Sequence, residues 1–120
     1  MRIWDVPPEI LCRQHLLGEH RELHAVWNVL TLGKQGYAKH PETLRWRGKQ
    51  AALFVRHEAL VAEMRRRGYN HRTPLDAALA TGIAEQTEFV DTPDEQVTLL
   101  RAKGCSCKVG SQPYHPPAER

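Results

Sequence analysis

The chain has 120 residues and a formal net charge of +3, with 26% charged and 41% hydrophobic residues, enough for one core and too few for two. No apolar run approaches the ~20 residues a membrane crossing needs, and Asp5, Pro7 and Pro8 stand where a signal peptide would carry its apolar stretch. These features exclude a membrane role and predict a cytoplasmic, nucleoid-associated location. Cys12, Cys105 and Cys107 are too few and too uneven for a disulfide framework, so free thiols are expected.

The small net charge hides a division. Thr31 to Arg72 holds ten Lys and Arg against Glu42, Glu58 and Glu63, a balance of +7, whereas Thr73 to Leu100 holds six acids and no Lys or Arg, a balance of −6. Such segregation suits an oriented polyanion site; two solvated helix faces attracting each other would also account for it.

Asp5-Val-Pro7-Pro8-Glu9 offers an N-cap, first-turn prolines and an early acid, predicting a helix from Pro7 or Pro8 to about Leu30, with a bend near Gly18. A basic, glycine-bearing loop with Lys34, Gln35, Tyr37, Lys39 and His40 should follow, to about Glu42. The next helix is expected from Thr43 or Lys49 to Arg67, with Leu53, Phe54, Leu60, Val61 and Met64 at core spacing and Gly68 as its stop. Thr73-Pro-Leu-Asp76 and Thr92-Pro-Asp-Glu95 each read as a Thr cap followed by Pro and an acid, so each should start a helix, the first short and ending near Gly82, the second ending at Gly104. The fold class expected is an all-α, compact single-domain bundle of three main helices plus a short one, with basic loops. Its domain should span 1–108, with 109–120 an irregular tail rich in Gly and Pro.

On the first long helix, Glu22 shares an arc with Leu11, His15, Gly18, Ala25, Val26 and Val29, while Arg13, Gln14, His20, Arg21, His24 and Asn28 lie elsewhere. A carboxylate on so apolar a face needs a partner, a raised pKa or a cleft. Pairing with an Arg of the second long helix is the plain structural alternative.

The segment His15-Leu-Leu-Gly-Glu19-His20-Arg21-Glu22-Leu23, a terminus opening Met1-Arg2, and Arg67-Gly68-Tyr69-Asn70 resemble the pyrimidine-dimer DNA glycosylases of the endonuclease V type. Without gaps, the amine-bearing residue of that family falls on Met1, its Arg on Arg2, its His on His15, its Glu on Glu19 and its Arg-Glu pair on Arg21-Glu22. A second ungapped match covers Lys49 to Asn70. The resemblance implies an N-glycosylase and abasic-site lyase that excises cyclobutane pyrimidine dimers through a Schiff base on the N-terminal amine. Met1 and Glu22 would be catalytic, Arg2, Arg21 and His15 would hold sugar and phosphate, and no metal or organic cofactor is called for.

Independent chemistry suits that assignment. An α-amine with a pKa of ~7.7–8.0 is substantially neutral near pH 7, where an ordinary Lys at ~10.4 is not. Arg2 is also too bulky for the usual removal of an initiator Met, so Met1 should persist. The sequence departs from the family at Ala25, which stands where a second Arg is expected, at His20, which replaces an aromatic, and in a tail with Tyr114 in place of an aromatic-rich terminus.

His20, His24, Lys34, Lys39, Arg45, Arg47 and Arg66 complete the candidate DNA contacts, the cations as a salt-sensitive wall along a duplex. Trp4, Tyr37 and Trp46 are either stacking residues or core. His20 and His24 share a helix face, but Glu22 does not directly follow the first His as in zinc proteases, and Cys105-Ser-Cys107 alone is a weak metal signal. The expected partner is damaged double-stranded DNA, bound by a monomer without an obligatory protein partner. Rival readings are the same lyase on another damaged base or on abasic sites only, and a non-catalytic DNA-binding domain in which Glu22 is structural.

Overall fold

A computed structural model describes residues 1–109. After a 3-10 turn at Pro8–Ile10 come α1 (Arg13–Leu32), the single-turn α2 (Pro41–Leu44), α3 (Gln50–Arg66), a second 3-10 turn at Ala77–Leu79, and α4 (Pro93–Ala102). Among the described residues there is no strand, and the expected all-α architecture of three main helices and a short one holds. Most of the expected tail, from residue 110 onward, lies outside the described residues.

The first long helix begins later than its prolines suggest. Leu11 and Cys12 are extended, with ψ of 136° and 167°. The carbonyls that would start a helix there serve distant partners: Leu11 O accepts from Arg67 Nη2 at 2.6 Å and Ile10 O from Lys108 N at 2.7 Å. From Arg13 the helix runs unbroken through Gly18 and stops at Gly33 in the left-handed region (φ 69°).

Thr73-Pro74 starts no helix, only a 3-10 turn capped by Asp76. The carbonyls beyond it are engaged at the start of α3, where Lys49 supplies no side-chain cap and Ala51 N and Ala52 N donate to Thr81 O and Ile83 O at 2.8 and 3.1 Å. These bonds satisfy donors that a helix N-terminus otherwise leaves unpaired. Thr92, by contrast, forms the expected capping box with Glu95 and launches α4.

The core lies between α1 (Leu16, Leu23, Val26, Trp27) and α3 (Leu53, Leu60, Met64), closed by Val97 and Leu100 of α4. Ile3 and Val6 of the N-terminal arm are fully buried within it. At roughly 1.5–3 kcal/mol per large apolar side chain, these two anchor an arm that has no secondary structure of its own.

Candidate active site

The arm is held by bonds to its backbone and to Asp5. Arg45 Nη2 donates to Ile3 O at 2.9 Å and Arg56 Nη1 to Val6 O at 2.8 Å. Asp5 accepts from both terminal nitrogens of Arg45, while its N–H donates to Gln96 Oε1 at 2.7 Å. At the outer end Arg2 pairs with Asp91 at 2.7 Å and lies over the Trp4 ring. Three elements, α2 with its C-cap, α3 and α4, therefore fix where residue 1 sits.

It sits at an open cleft of ≈ 280 Å³ lined by Met1, Arg2, Trp4, Gln14, His15, Gly18, Glu19, Arg21, Glu22 and Lys103. His15, Gly18 and Glu22, which share one arc of α1, all face it. Glu22 is half-buried and has no hydrogen-bond or ion-pair partner among the described residues. The pairing with an Arg of the second long helix, the structural alternative for Glu22, belongs instead to Glu19. That carboxylate is buried and takes two bonds from Arg56, at 2.7 and 2.9 Å. One turn of α1 thus carries a structural acid and an unengaged acid side by side, the second beside the N-terminus and three cations.

The sequence matches the family model for pyrimidine dimer DNA glycosylases over residues 1–77, well over half the chain. The chain belongs to this family. The matched stretch contains the arm, α1 and α3, that is, nearly the whole cleft except Lys103. No curated protein and no solved structure matches the chain. A pyrimidine dimer DNA glycosylase acts on DNA in repair, and among the described residues no helix is long and apolar enough to cross a membrane.

Other DNA-contact candidates of the glycosylase fall into different places. Lys34, Lys39, Arg47 and Arg66 are exposed, Arg66 in a pair with Glu63. Arg45 is a correction. Its side chain is 5% exposed and engages Asp5, Glu42, Ile3 O and Glu88 O, so it holds the arm and has no face for a phosphate. Trp46 donates to Glu42 in the core, Trp4 is buried at the cleft wall, and Tyr37 is exposed. The two charged segments also meet each other where Lys49 pairs with Glu88, and the acidic segment reaches the arm through Asp91 and Arg2.

The histidines are grouped. His15 turns Nδ1 towards Cys12 and Cys107 Sγ, each at 3.2 Å. His20 and His24 do not line the cleft; they face His57 and His71. Burial, reinforced by repulsion from the other three rings, pushes His20 down to about 4, so it carries no cation to a phosphate near neutrality. Lys103, Gln14 and the role of Gly18 escaped the sequence reading. Gln14 and Gly18 sit in ordinary helical positions, and Lys103 arrives from the end of α4, with no local signal for any of them.

Proposed function

We propose that this glycosylase excises cyclobutane pyrimidine dimers and nicks the resulting abasic site, with the α-amine of Met1 as nucleophile. The observation that carries the reading is the cleft itself, which Met1 and the unpartnered Glu22 line together with Arg2 and Arg21. The amine lone pair attacks C1′ of the damaged nucleotide, and the C1′–N glycosidic bond breaks with its electrons leaving on the base. Opening of the sugar ring, with the C1′–O4′ electrons taken up by a proton, leaves an imine between C1′ and Met1. Removal of a C2′ proton then expels the 3′ phosphate by β-elimination, and water hydrolyses the imine to free the amine.

In this reading Glu22, which lines the cleft without a partner, stabilises cationic character at C1′ and carries the protons of ring opening and elimination. Arg2, Arg21 and Lys103 give the flanking phosphates a cationic rim, and His15 bounds the site beside the sugar. Lys34, Lys39, Arg47 and Arg66 add an outer, salt-sensitive contribution.

Borohydride trapping on undamaged, dimer-containing and abasic duplexes tests this, using the native protein, an N-terminally extended form and Glu22→Gln. The expected result is an adduct on dimer DNA that extension abolishes. Ala25 stands where the resemblance expects a cation, which makes a different lesion the second reading; trapping on abasic DNA alone would favour it. Binding without trapping on any duplex would point to a non-catalytic DNA-binding domain.

A further inference from the structure

We propose that Cys12, His15, Cys105 and Cys107 bind a structural zinc ion. The three sulfurs and one imidazole nitrogen all lie within 4.8 Å of one another, although the residues come from the two ends of the described chain. Cys12 caps α1, His15 is in its first turn, and Cys105 and Cys107 follow α4 after Gly104, whose φ of 66° turns the chain back. His15 Nδ1 is 3.2 Å from two of the sulfurs. A tetrahedral ion with Zn–S of about 2.3 Å and Zn–N of about 2.0–2.1 Å calls for ligand separations of about 3.5–3.8 Å. The two measured nitrogen–sulfur separations are within a few tenths of an ångström of that, and the rest of the set, all within 4.8 Å, needs at most about an ångström of closure to enclose an ion.

Other contacts at the cluster fit a thiolate site. Cys12 N–H donates to Cys107 Sγ at 3.0 Å, the backbone support that metal-bound sulfur ordinarily receives. Lys108 N donates to Ile10 O beside it, locking the two strands of chain together. A disulfide would join two sulfurs and leave the third thiol and the imidazole converging on nothing. Four protein ligands close the coordination shell, so the ion would fasten the end of α4, with Lys103, against the cleft that His15 lines.

The test begins with metal-stripped, reduced, untagged protein titrated with cobalt(II). A thiolate-to-cobalt charge-transfer band that zinc displaces is expected. Cys107→Ala should lose the band and one zinc per chain by elemental analysis, while His15→Cys, which keeps four ligands, should retain both. Absence of the band in the native protein, or a native disulfide among these cysteines by mass spectrometry, overturns the proposal.

A different observation carries a second site. We infer that His20, His24, His57 and His71 bind another zinc-class divalent ion. Their nitrogens also lie within 4.8 Å of one another, with Nε2 to Nε2 separations of 3.2 Å for His24–His57 and 3.1 Å for His20–His71. A tetrahedral ion with Zn–N of about 2.0–2.1 Å requires about 3.3–3.4 Å. His57 is fully buried, and its Nδ1 faces Glu58 Oε1 at 3.4 Å, which leaves Nε2 to point inward. N–H···N bonds satisfy such rings in pairs, but a shared cation accounts for all four nitrogens meeting at one point. The ion would staple α1, α3 and the segment after α3.

Zinc titration followed by nitrogen NMR of the imidazoles checks this site separately. All four rings should move to the Nδ1–H tautomer, and His71→Ala should lose one zinc per chain while keeping the cobalt–thiolate band. A tautomer pattern indifferent to zinc, or a zinc content unchanged in His71→Ala, would rule it out.

Discussion

Arg45 grips Asp5 through two bonds, Nη1 to Oδ1 at 3.2 Å and Nη2 to Oδ2 at 2.9 Å, and so ties the helix-poor arm that presents residue 1 to the C-cap of α2. The same guanidinium bonds Glu42 at 2.5 Å and Ile3 O at 2.9 Å. Buried pairs of this kind add little over a well-packed apolar set, yet removing one partner strands the other charges. Arg45→Ala should destabilise the fold by about 3–5 kcal/mol in urea unfolding. Lysine should rescue poorly, because a single ammonium cannot reach all of these acceptors.

Glu19 and Glu22 should separate cleanly. Glu22→Gln leaves no charge unpaired and should shift stability by no more than about 0.5 kcal/mol, while single-turnover lyase rates fall by about 10²–10⁴-fold. Glu19→Gln strips Arg56 of its carboxylate and should cost about 3–5 kcal/mol. Parallel unfolding curves and rates for the two variants decide it; equal behaviour would contradict the division between them.

Gly82 holds φ at 84°, and a Cβ there would lie 2.2 Å from Gly48 O, a backbone atom. Gly48 O is also the acceptor of Ile83 N at 2.9 Å, next to the bonds that cap α3. Gly82→Ala therefore combines left-handed strain of roughly 1–2 kcal/mol with a clash that must displace those bonds. A loss above about 2 kcal/mol by thermal unfolding is expected, with amide exchange at Ala51 and Ala52 accelerated.

Acid should loosen the end of α3. Hydrogen bonding to Arg66, then to Arg67, outweighs burial and holds Glu63 at about 2 against an ordinary 4.5. A folded-state pKa below the unfolded one gives stability that is complete above pH 4.5 and is lost as pH falls towards 2. Arg67 also reaches Leu11 O, so the loss should extend to the start of α1. Denaturation between pH 2 and 5 should show a shallower pH slope for Glu63→Gln than for the native protein.

Lys34 and Lys39 are exposed and make no ion pair among the described residues. If each meets a phosphate, each alanine variant should lower the slope of log K against log salt by about 0.9 on duplex DNA. An unchanged slope would remove that loop from the interface.

Local physical chemistry made the helices, and the single arc of α1 bearing His15, Gly18 and Glu22, readable from the sequence. Prolines, caps and 3.6-residue periodicity act within a few positions, and Thr92-Pro-Asp-Glu95 is launched as its residues demand. The same local signal misled at Pro7-Pro8 and at Thr73-Pro74, because the carbonyls nearby are taken by Arg67, Lys108 and the start of α3, partners that no window of sequence contains. Only the tertiary structure decided which acid of α1 is engaged. Both Glu19 and Glu22 look plausible in sequence, and the choice is made by where Arg56 stands across the core. It also turned Arg45 inward and gathered Cys12 with Cys107 and His20 with His71, since charge desolvation and ligand convergence depend on distances through space that residue spacing does not encode.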